Sequence, residues 1–232
     1  MCGRFAVIRQ LEELARLFEA GLIRMEGDFA PNYNVAPSTI IPAVIEEDGQ
    51  RVIVGLYWGF TPSWAKARRD GPRPINARKE TVATSGMFRN AFRHRRAIIP
   101  ADGFFEWKVE GAGKQPFFVH REDGAVMAFA GIWERWQDPT GELETPLDSC
   151  AIITTSANSE MSQLHDRMPV ILEPEEWDRW LDPELTDAEA LADLLDPAED
   201  HVIAYHPVTP DVGNVRNNRP DLIEPLEQTR FF

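Results

Sequence analysis

The stretch IIPAVIEEDGQRVIVGLYW, residues 40–58, decides the reading of the fold. Two runs rich in β-branched residues, 40–46 and 51–58, flank Asp48-Gly49, a dipeptide suited to the left-handed backbone of a tight turn. The pattern predicts a β-hairpin. A similar pattern follows, in which Phe117 to Arg121 and Ala125 to Trp133 flank Asp123-Gly124, and it predicts a second hairpin. Residues 151–155, 169–172 and 201–205 read as further short strands. Helical spacing is confined to the flanks of these runs. Leu11, Leu14, Leu17 and Phe18 mark a helix over 10–20, with Gly21 placed to end it. The stretch after Asn76 is helix-prone, Pro174 sits in a first turn, and Thr186-Asp187-Ala188-Glu189 matches a capping box ahead of Ala190, Leu191, Leu194 and Leu195. Strands joined by hairpins, with helices set apart from them, predict an α+β domain and not repeated βαβ units.

The chain has 232 residues, 43% of them apolar and 27% charged, which supplies a core and excludes a disordered chain. No run approaches the roughly 18 apolar residues of a membrane span. The opening MCGRFAVIRQ continues into LEELARLFEA and not into a signal-peptide core, so the expectation is a cytoplasmic protein, nucleoid-associated in a bacterial cell, with no membrane partner. The only two cysteines, Cys2 and Cys150, are too few for a disulfide framework, and Cys150 reads as a small core residue. There is no C-x-x-C or H-E-x-x-H, and the loose pair His201 and His206 reads as structural, so neither a metal nor another cofactor is expected.

A net charge of -14 taken whole argues against a nucleic-acid partner. Divided by segment, it says something else. Residues 51–100 hold eleven bases against two acids, Asp70 and Glu80, whereas residues 173–200 hold twelve acids against Arg179 alone. The polarity predicts a basic face contributed largely by 51–100, and an acidic helical segment, 173–200, that forms a solvated, repelling flank. Two long proline-bearing polar segments, 61–74 and 207–220, read as functional loops.

Four features could carry chemistry. Removal of Met1 would leave Cys2 with its α-amine and thiol on adjacent carbons, a 1,2-aminothiol that attacks an aldehyde through nitrogen and closes through sulfur to a thiazolidine. The thiol could instead serve as an amidohydrolase nucleophile with the amine as its base, or the residue could be a small terminus of no consequence. In Asn76-Ala77-Arg78 an amide could position a reacting group and a guanidinium could grip a phosphate. In Asp102-Gly103-Phe104-Phe105-Glu106-Trp107 a carboxylate enclosed by aromatics suits general acid/base work, although a solvent-facing Glu on a strand is the commoner case. In His165-Asp166-Arg167 an imidazole stands two residues from a phosphate-capable guanidinium, and such a His is equally a structural residue.

Taken in order, six motifs resemble the SRAP family, the SOS response-associated peptidase-like proteins that process abasic sites. They are Cys2-Gly3-Arg4-Phe5, Tyr33-Asn34-Val35-Ala36-Pro37, Trp58-Gly59, Asn76-Ala77-Arg78, Gly103-Phe104-Phe105-Glu106-Trp107 and His165-Asp166-Arg167-Met168-Pro169. The likeness runs from Cys2 to about Pro225, through Asn214-Val215-Arg216-Asn217 and Leu222-Ile223-Glu224-Pro225. Gly213 departs from the closing motif, which often carries Asn there.

The resemblance implies a single SRAP-type domain over 1–232 with a largely antiparallel or mixed, barrel-like β core and peripheral helices. It implies a monomer that captures abasic sites in single-stranded DNA, including those at single-strand/double-strand junctions, as a thiazolidine crosslink through the mature Cys2. Latent lyase activity and self-removal of Met1 belong to the same site. On the family pattern Asn76 orients the aminothiol, Glu106 is the acid/base, and His165 assists proton transfer. Arg4, Asn34, Arg78, Thr154 and Arg167 line the DNA backbone path, and Trp64 and Met87 stack on or wedge bases. The rival readings are a cysteine-type peptidase or amidohydrolase and a non-catalytic single-strand-binding module. A peptidase has no use for the basic segment, and a plain binder would not discriminate abasic from undamaged strands.

Overall fold

A computed structural model describes residues 2–25, 29–67, 73–111, 113–141 and 144–226. In chain order its elements are β1 (Phe5–Val7), α1 (Leu11–Leu17), β2 (Leu22–Arg24), β3 (Asn32–Val35), β4 (Ile40–Glu47), β5 (Gln50–Trp58), β6 (Asn76–Arg78), α2 (Lys79–Val82), α3 (Arg89–His94), β7 (Arg96–Ala101), β8 (Gly103–Glu110), β9 (Gly113–Arg121), β10 (Met127–Trp136), β11 (Leu147–Ser156), β12 (Arg167–Pro169), α4 (Trp177–Leu181) and β13 (Ile203–Pro207). The predicted first hairpin is β4–β5, paired from Ile40↔Tyr57 to Glu47↔Gln50. Its turn takes φ of 52° at Asp48 and 80° at Gly49, the two left-handed residues that fit the twist of a two-residue hairpin.

That hairpin is part of a closed ring. The order β11-β10-β7-β4-β5 returns to β11 through the parallel pairs Ser149↔Tyr57 and Cys150↔Trp58, which makes a five-stranded mixed barrel carrying β12, β6 and β2 on its margins. Closure covers the inner faces of the strands, and β1, α3 and α4 cover the outside of β7. All six residues of β7 are accordingly buried, and β11 runs buried from Ser149 to Thr155. A second, antiparallel sheet has the order β13-β9-β8-β1-β3. Aromatic edges join the two sheets: Phe5 of β1 meets Trp58 of β5 at 5.1 Å between centroids and Phe129 of β10 at 6.2 Å, and Phe104 of β8 meets Phe129 at 6.0 Å.

Three expectations are corrected. Residues 117–121 and 125–133 do not pair, because β9 bonds to β8 and β13 in the second sheet while β10 bonds to β7 and β11 in the barrel. The Asp123-Gly124 turn exists, with Asp123 accepting the Ala125 N–H at 2.9 Å and Gly124 at φ 72°, but it hands the chain from one sheet to the other. The hairpin partner of β9 is β8. Second, no capping box forms at Thr186, since the Glu189 N–H is taken by Asp187, and single 3₁₀ turns at Glu189–Leu191 and Asp193–Leu195 replace the expected helix. The capping box forms instead between Glu173 and Glu176, ahead of α4. Third, α1 ends at Leu17, and the Gly21 N–H serves Arg51 across the sheet, not the helix end.

Candidate active site

The N-terminal segment runs antiparallel to β8. Phe5 pairs with Phe104, and the Phe105 N–H donates to the Arg4 carbonyl at 2.9 Å, so the chain before Phe5 is carried towards Glu106. Gly103 lets β9 pack close against the other edge of β8. A Cβ there would lie 2.4 Å from the Phe118 ring and 2.5 Å from the Val119 carbonyl oxygen, a backbone atom that cannot retreat. Asp102 fixes the far end of β1 by accepting the Ile8 N–H at 2.7 Å and the Arg9 Nε–H at 3.0 Å.

Cys2 is buried at 1% exposure and Glu106 at 6%. Burial pushes the Cys2 thiol well above its ordinary pKa, and the nearby negative charge of Glu106 pushes it the same way. The sulfur is therefore held as S–H, not as thiolate. Asn76 opens β6, which β11 holds in parallel register through Ile152↔Asn76 and Thr154↔Arg78. Its Nδ2 donates to the Cys2 carbonyl at 2.9 Å, while its Oδ1 is buried without a hydrogen-bond partner among the described residues. The structure thus brings Cys2, Asn76 and Glu106 together from the N-terminus, the barrel margin and the second sheet.

A second group adjoins them. The Arg4 guanidinium lies 5.9 Å over the Trp107 ring, and its Nη1 donates to Asn34 Oδ1 at 2.7 Å and to the Val212 carbonyl at 2.8 Å. Asn34 Nδ2 donates to the carbonyls of Val212, Asn214 and Asn217 at 3.2, 3.1 and 2.9 Å. Asn34 is buried, and its amide is spent on the 209–222 segment. Thr154 is likewise buried, and its carbonyl accepts Arg167 Nη2 at 2.7 Å. These two residues hold others in place and offer little surface of their own.

Arg167 also meets Glu80 through two bonds of 2.5 and 3.0 Å. Arg78, Glu80, Thr81, Asp166 and Arg167 line a cleft of about 410 Å³. His165 leads into β12, with its Nδ1 accepting the Arg167 N–H at 3.0 Å and lying 2.8 Å from Asp166 Oδ1. The backbone amide and the exposed Asp166 carboxylate thus both meet the ring at Nδ1. Trp64 is 65% exposed on a loop pinned beneath it, where Trp136 Nε1–H donates to the Ala65 carbonyl at 2.7 Å and the Thr61 N–H to Ser149 Oγ at 2.9 Å. Met87 is half-buried against the core.

The basic face is smaller than the sequence predicts. Arg51 pairs with Asp178, Lys79 with Asp196 at 2.9 Å and Arg95 with Glu134 at 2.6 Å. Arg96 is buried and donates to the carbonyls of Trp180 at 2.6 Å, Phe92 at 2.9 Å and Arg93 at 2.7 Å. Lys66, Arg73, Arg78, Arg89 and Arg93 remain exposed, and Arg68 and Arg69 lie outside the described residues. The acidic run is thus partly a clasp on the basic one and not simply a repelling flank. Sequence reasoning also passed over Glu80 as a partner of Arg167, although its being one of two acids among eleven bases was a signal. The grip of Asn34 on the 209–222 segment left no local signal, since its partners lie about 180 residues away.

Comparison with known proteins identifies relatives over nearly the whole chain. The family model described as SOS response associated peptidase (SRAP) matches residues 1–215. The chain is 39% identical over 225 residues to the abasic site processing protein YoqW of Bacillus subtilis, covering 97% of this chain and 99% of that one. It is equally 39% identical, over 236 residues, to the abasic site processing protein YedK of Escherichia coli, covering 97% of this chain and 100% of that one. A crystal structure of a protein from Bacteroides thetaiotaomicron superposes with a TM-score of 0.85 at 27% identity, covering 97% and 99% of the two chains.

Proposed function

The chain belongs to the SOS response associated peptidase (SRAP) family, and from that premise we propose that it captures abasic sites in single-stranded DNA as a covalent thiazolidine through a mature N-terminal Cys2. Loss of Met1 frees the α-amine. The amine attacks C1′ of the ring-opened deoxyribose, water leaves, and an imine forms. The Cys2 S–H then adds to the imine carbon, its proton passing to Glu106 and on to the ring nitrogen, so that the net reaction is aldehyde plus aminothiol to thiazolidine plus water. Both nucleophiles sit on one residue, so the second attack is intramolecular and gains an effective molarity of order 10⁵ M or more.

The enclosure of Cys2 between Asn76 and Glu106 carries this reading. A thiol raised by burial is a poor standing nucleophile for peptides, whose cysteine hydrolases use lowered thiols. It suits a second step on an electrophile already tethered by the amine, with Glu106 as the proton acceptor. The peptidase step left to the site is self-removal of Met1, whose peptide bond is joined to Cys2 itself and needs no capture from solution. In the proposal Asn76 orients the aminothiol, Glu106 serves sugar ring opening and imine formation, and His165 assists proton transfer. Arg4, Arg78 and Arg167 meet the DNA backbone, held by Asn34 and Thr154, while Trp64 and Met87 pack on bases. Residues 1–232 act as one domain and as a monomer, on abasic strands that include single-strand/double-strand junctions. If the imine is not captured by sulfur it proceeds to β-elimination, which makes strand cleavage latent in the same site.

Intact-mass measurement of the purified protein with and without an abasic oligonucleotide tests this. The expected result is loss of Met1 and an adduct equal to protein plus DNA minus one water. A protein that retains Met1, or one that forms no adduct, overturns it.

A further inference from the structure

We propose that Glu80 is an electrostatic gate on Arg167, occupying in the free protein the place that a DNA phosphate takes in the complex, and so setting the affinity for single strands. The inference rests on the DNA reading above. Arg167 is anchored from behind by the Thr154 carbonyl at 2.7 Å, and its side chain is only 15% exposed. Its outward edge is covered by the two Glu80 oxygens at 2.5 and 3.0 Å. A planar guanidinium presents such paired donors to carboxylate and phosphate alike, so the two acceptors compete for one edge.

Glu80 is built to leave. Its side chain is 49% exposed, and it stands at the start of α2 beside Arg78, so it can swing to water while Arg167 stays tied to β11. Charge in the cleft is balanced, with Arg78 and Arg167 set against Glu80 and Asp166. The exchange has a direct thermodynamic consequence. A phosphate that reaches Arg167 in the wild type replaces a carboxylate, so little net positive charge is offered to it. Without that carboxylate the same phosphate meets an uncompensated cation and releases a further counterion.

The test is binding of an undamaged single-stranded oligonucleotide across a salt series, for the wild type, Glu80→Gln, Asp166→Asn and the pair Arg167→Ala and Glu80→Gln/Arg167→Ala. Glu80→Gln should bind about threefold to tenfold tighter at low salt, the range that loss of one partly exposed ion pair and one repulsion supports. Its slope of log K against log salt should steepen by about 0.7, one phosphate's worth on a single strand. Asp166→Asn removes a charge from the same cleft without freeing Arg167 and should leave the slope unchanged. In the Arg167→Ala background Glu80→Gln should add no further steepening. Weaker binding by Glu80→Gln would mean that Glu80 only positions Arg167, and equal binding and slope would mean that the Arg167 edge never meets phosphate; either overturns the gate. Wild-type crosslinking to an abasic oligonucleotide, run in parallel, tells failure of the gate from failure of the function itself.

Discussion

Replacing Asn34 by Ala should destabilise the protein by about 3 kcal/mol. Two Nδ2 protons are shared among three carbonyls, and Oδ1 accepts from a cation at 2.7 Å. Two neutral bonds at ~0.5–1.5 kcal/mol and one to a charged group at ~1.5–3 kcal/mol bracket the loss at about 2.5–6 kcal/mol. The lower part of that range applies, because the Val212 carbonyl keeps Arg4 Nη1 at 2.8 Å and Asn214 is exposed, so water replaces part of what is lost. For a chain of this size about 3 kcal/mol lowers Tm by roughly 6–12 °C. Thermal unfolding measures the shift, and amide exchange over 212–217 should quicken with it. Asn34→Asp retains an acceptor for Arg4 but turns oxygen against three carbonyls, so it should be at least as damaging as Ala. Substituting a residue whose task is to touch DNA from the surface would change stability by less than about 0.5 kcal/mol. An unchanged Tm in both variants would refute the assignment of Asn34 as the anchor of the 209–222 segment.

The remaining predictions concern the site and its surroundings. Cys2→Ser, prepared free of Met1, keeps an α-amine but has no thiol, so it should form no adduct that survives denaturing electrophoresis and should instead cleave abasic strands; a stable crosslink in this variant would remove Cys2 sulfur from the mechanism. Trp64→Ala should weaken single-strand binding by about 1–3 kcal/mol, and because the ring is 65% exposed its Tm should stay put; equal loss of both would place Trp64 in the fold. The Asp123 carboxylate is held below its ordinary 3.8, first by the hydrogen bond from Arg121. A depressed acid contributes stability that is present above the unfolded value and is lost as pH falls through the folded one. A carboxyl-carbon NMR titration of Asp123 should therefore have its midpoint below 3.8 in the wild type and move up towards 3.8 in Arg121→Gln; a midpoint indifferent to Arg121 would contradict the pairing.

Local chemistry in the sequence was enough for β4–β5, because Asp48-Gly49 needs no partner beyond its own two strands. The same signal at Asp123-Gly124 was ambiguous. The dipeptide specifies a turn, but whether the strands on either side pair depends on competition from β8, β13, β7 and β11, which offered longer registers to each of them. Barrel closure had no local trace at all, since the two parallel pairs that complete it join residues about ninety positions apart. At the site, Cys2 and Glu106 were legible because chemistry singled them out: an aminothiol occurs only at a terminus, and a carboxylate among aromatics is conspicuous. Asn34 was legible as a residue of interest but not as an anchor. An amide reads the same whether its donors face a nucleotide or three carbonyls, and only the fold supplies the carbonyls.

Charge poses the same problem on a larger scale. A segment with nine surplus positive charges was read as a DNA face and one with eleven surplus negative charges as a flank, each on its own account. In the folded chain they are neighbours: Arg51 meets Asp178, Lys79 meets Asp196, and Arg96 is solvated by the carbonyl of Trp180 within the acidic run. Opposed surpluses in one chain attract each other before they attract anything else. The exposed pairs add little stability singly, and buried Arg96 serves packing, with desolvation lowering its pKa to about 10. What the clasp does is select which cations remain for a strand. Arg78 is one such cation, and Arg167, from outside the basic segment, is held for the same cleft by Glu80. That cleft lies beside the β6–β11 margin that also positions Asn76 at Cys2. On the proposed function, a strand bound at that cleft lies next to the aminothiol.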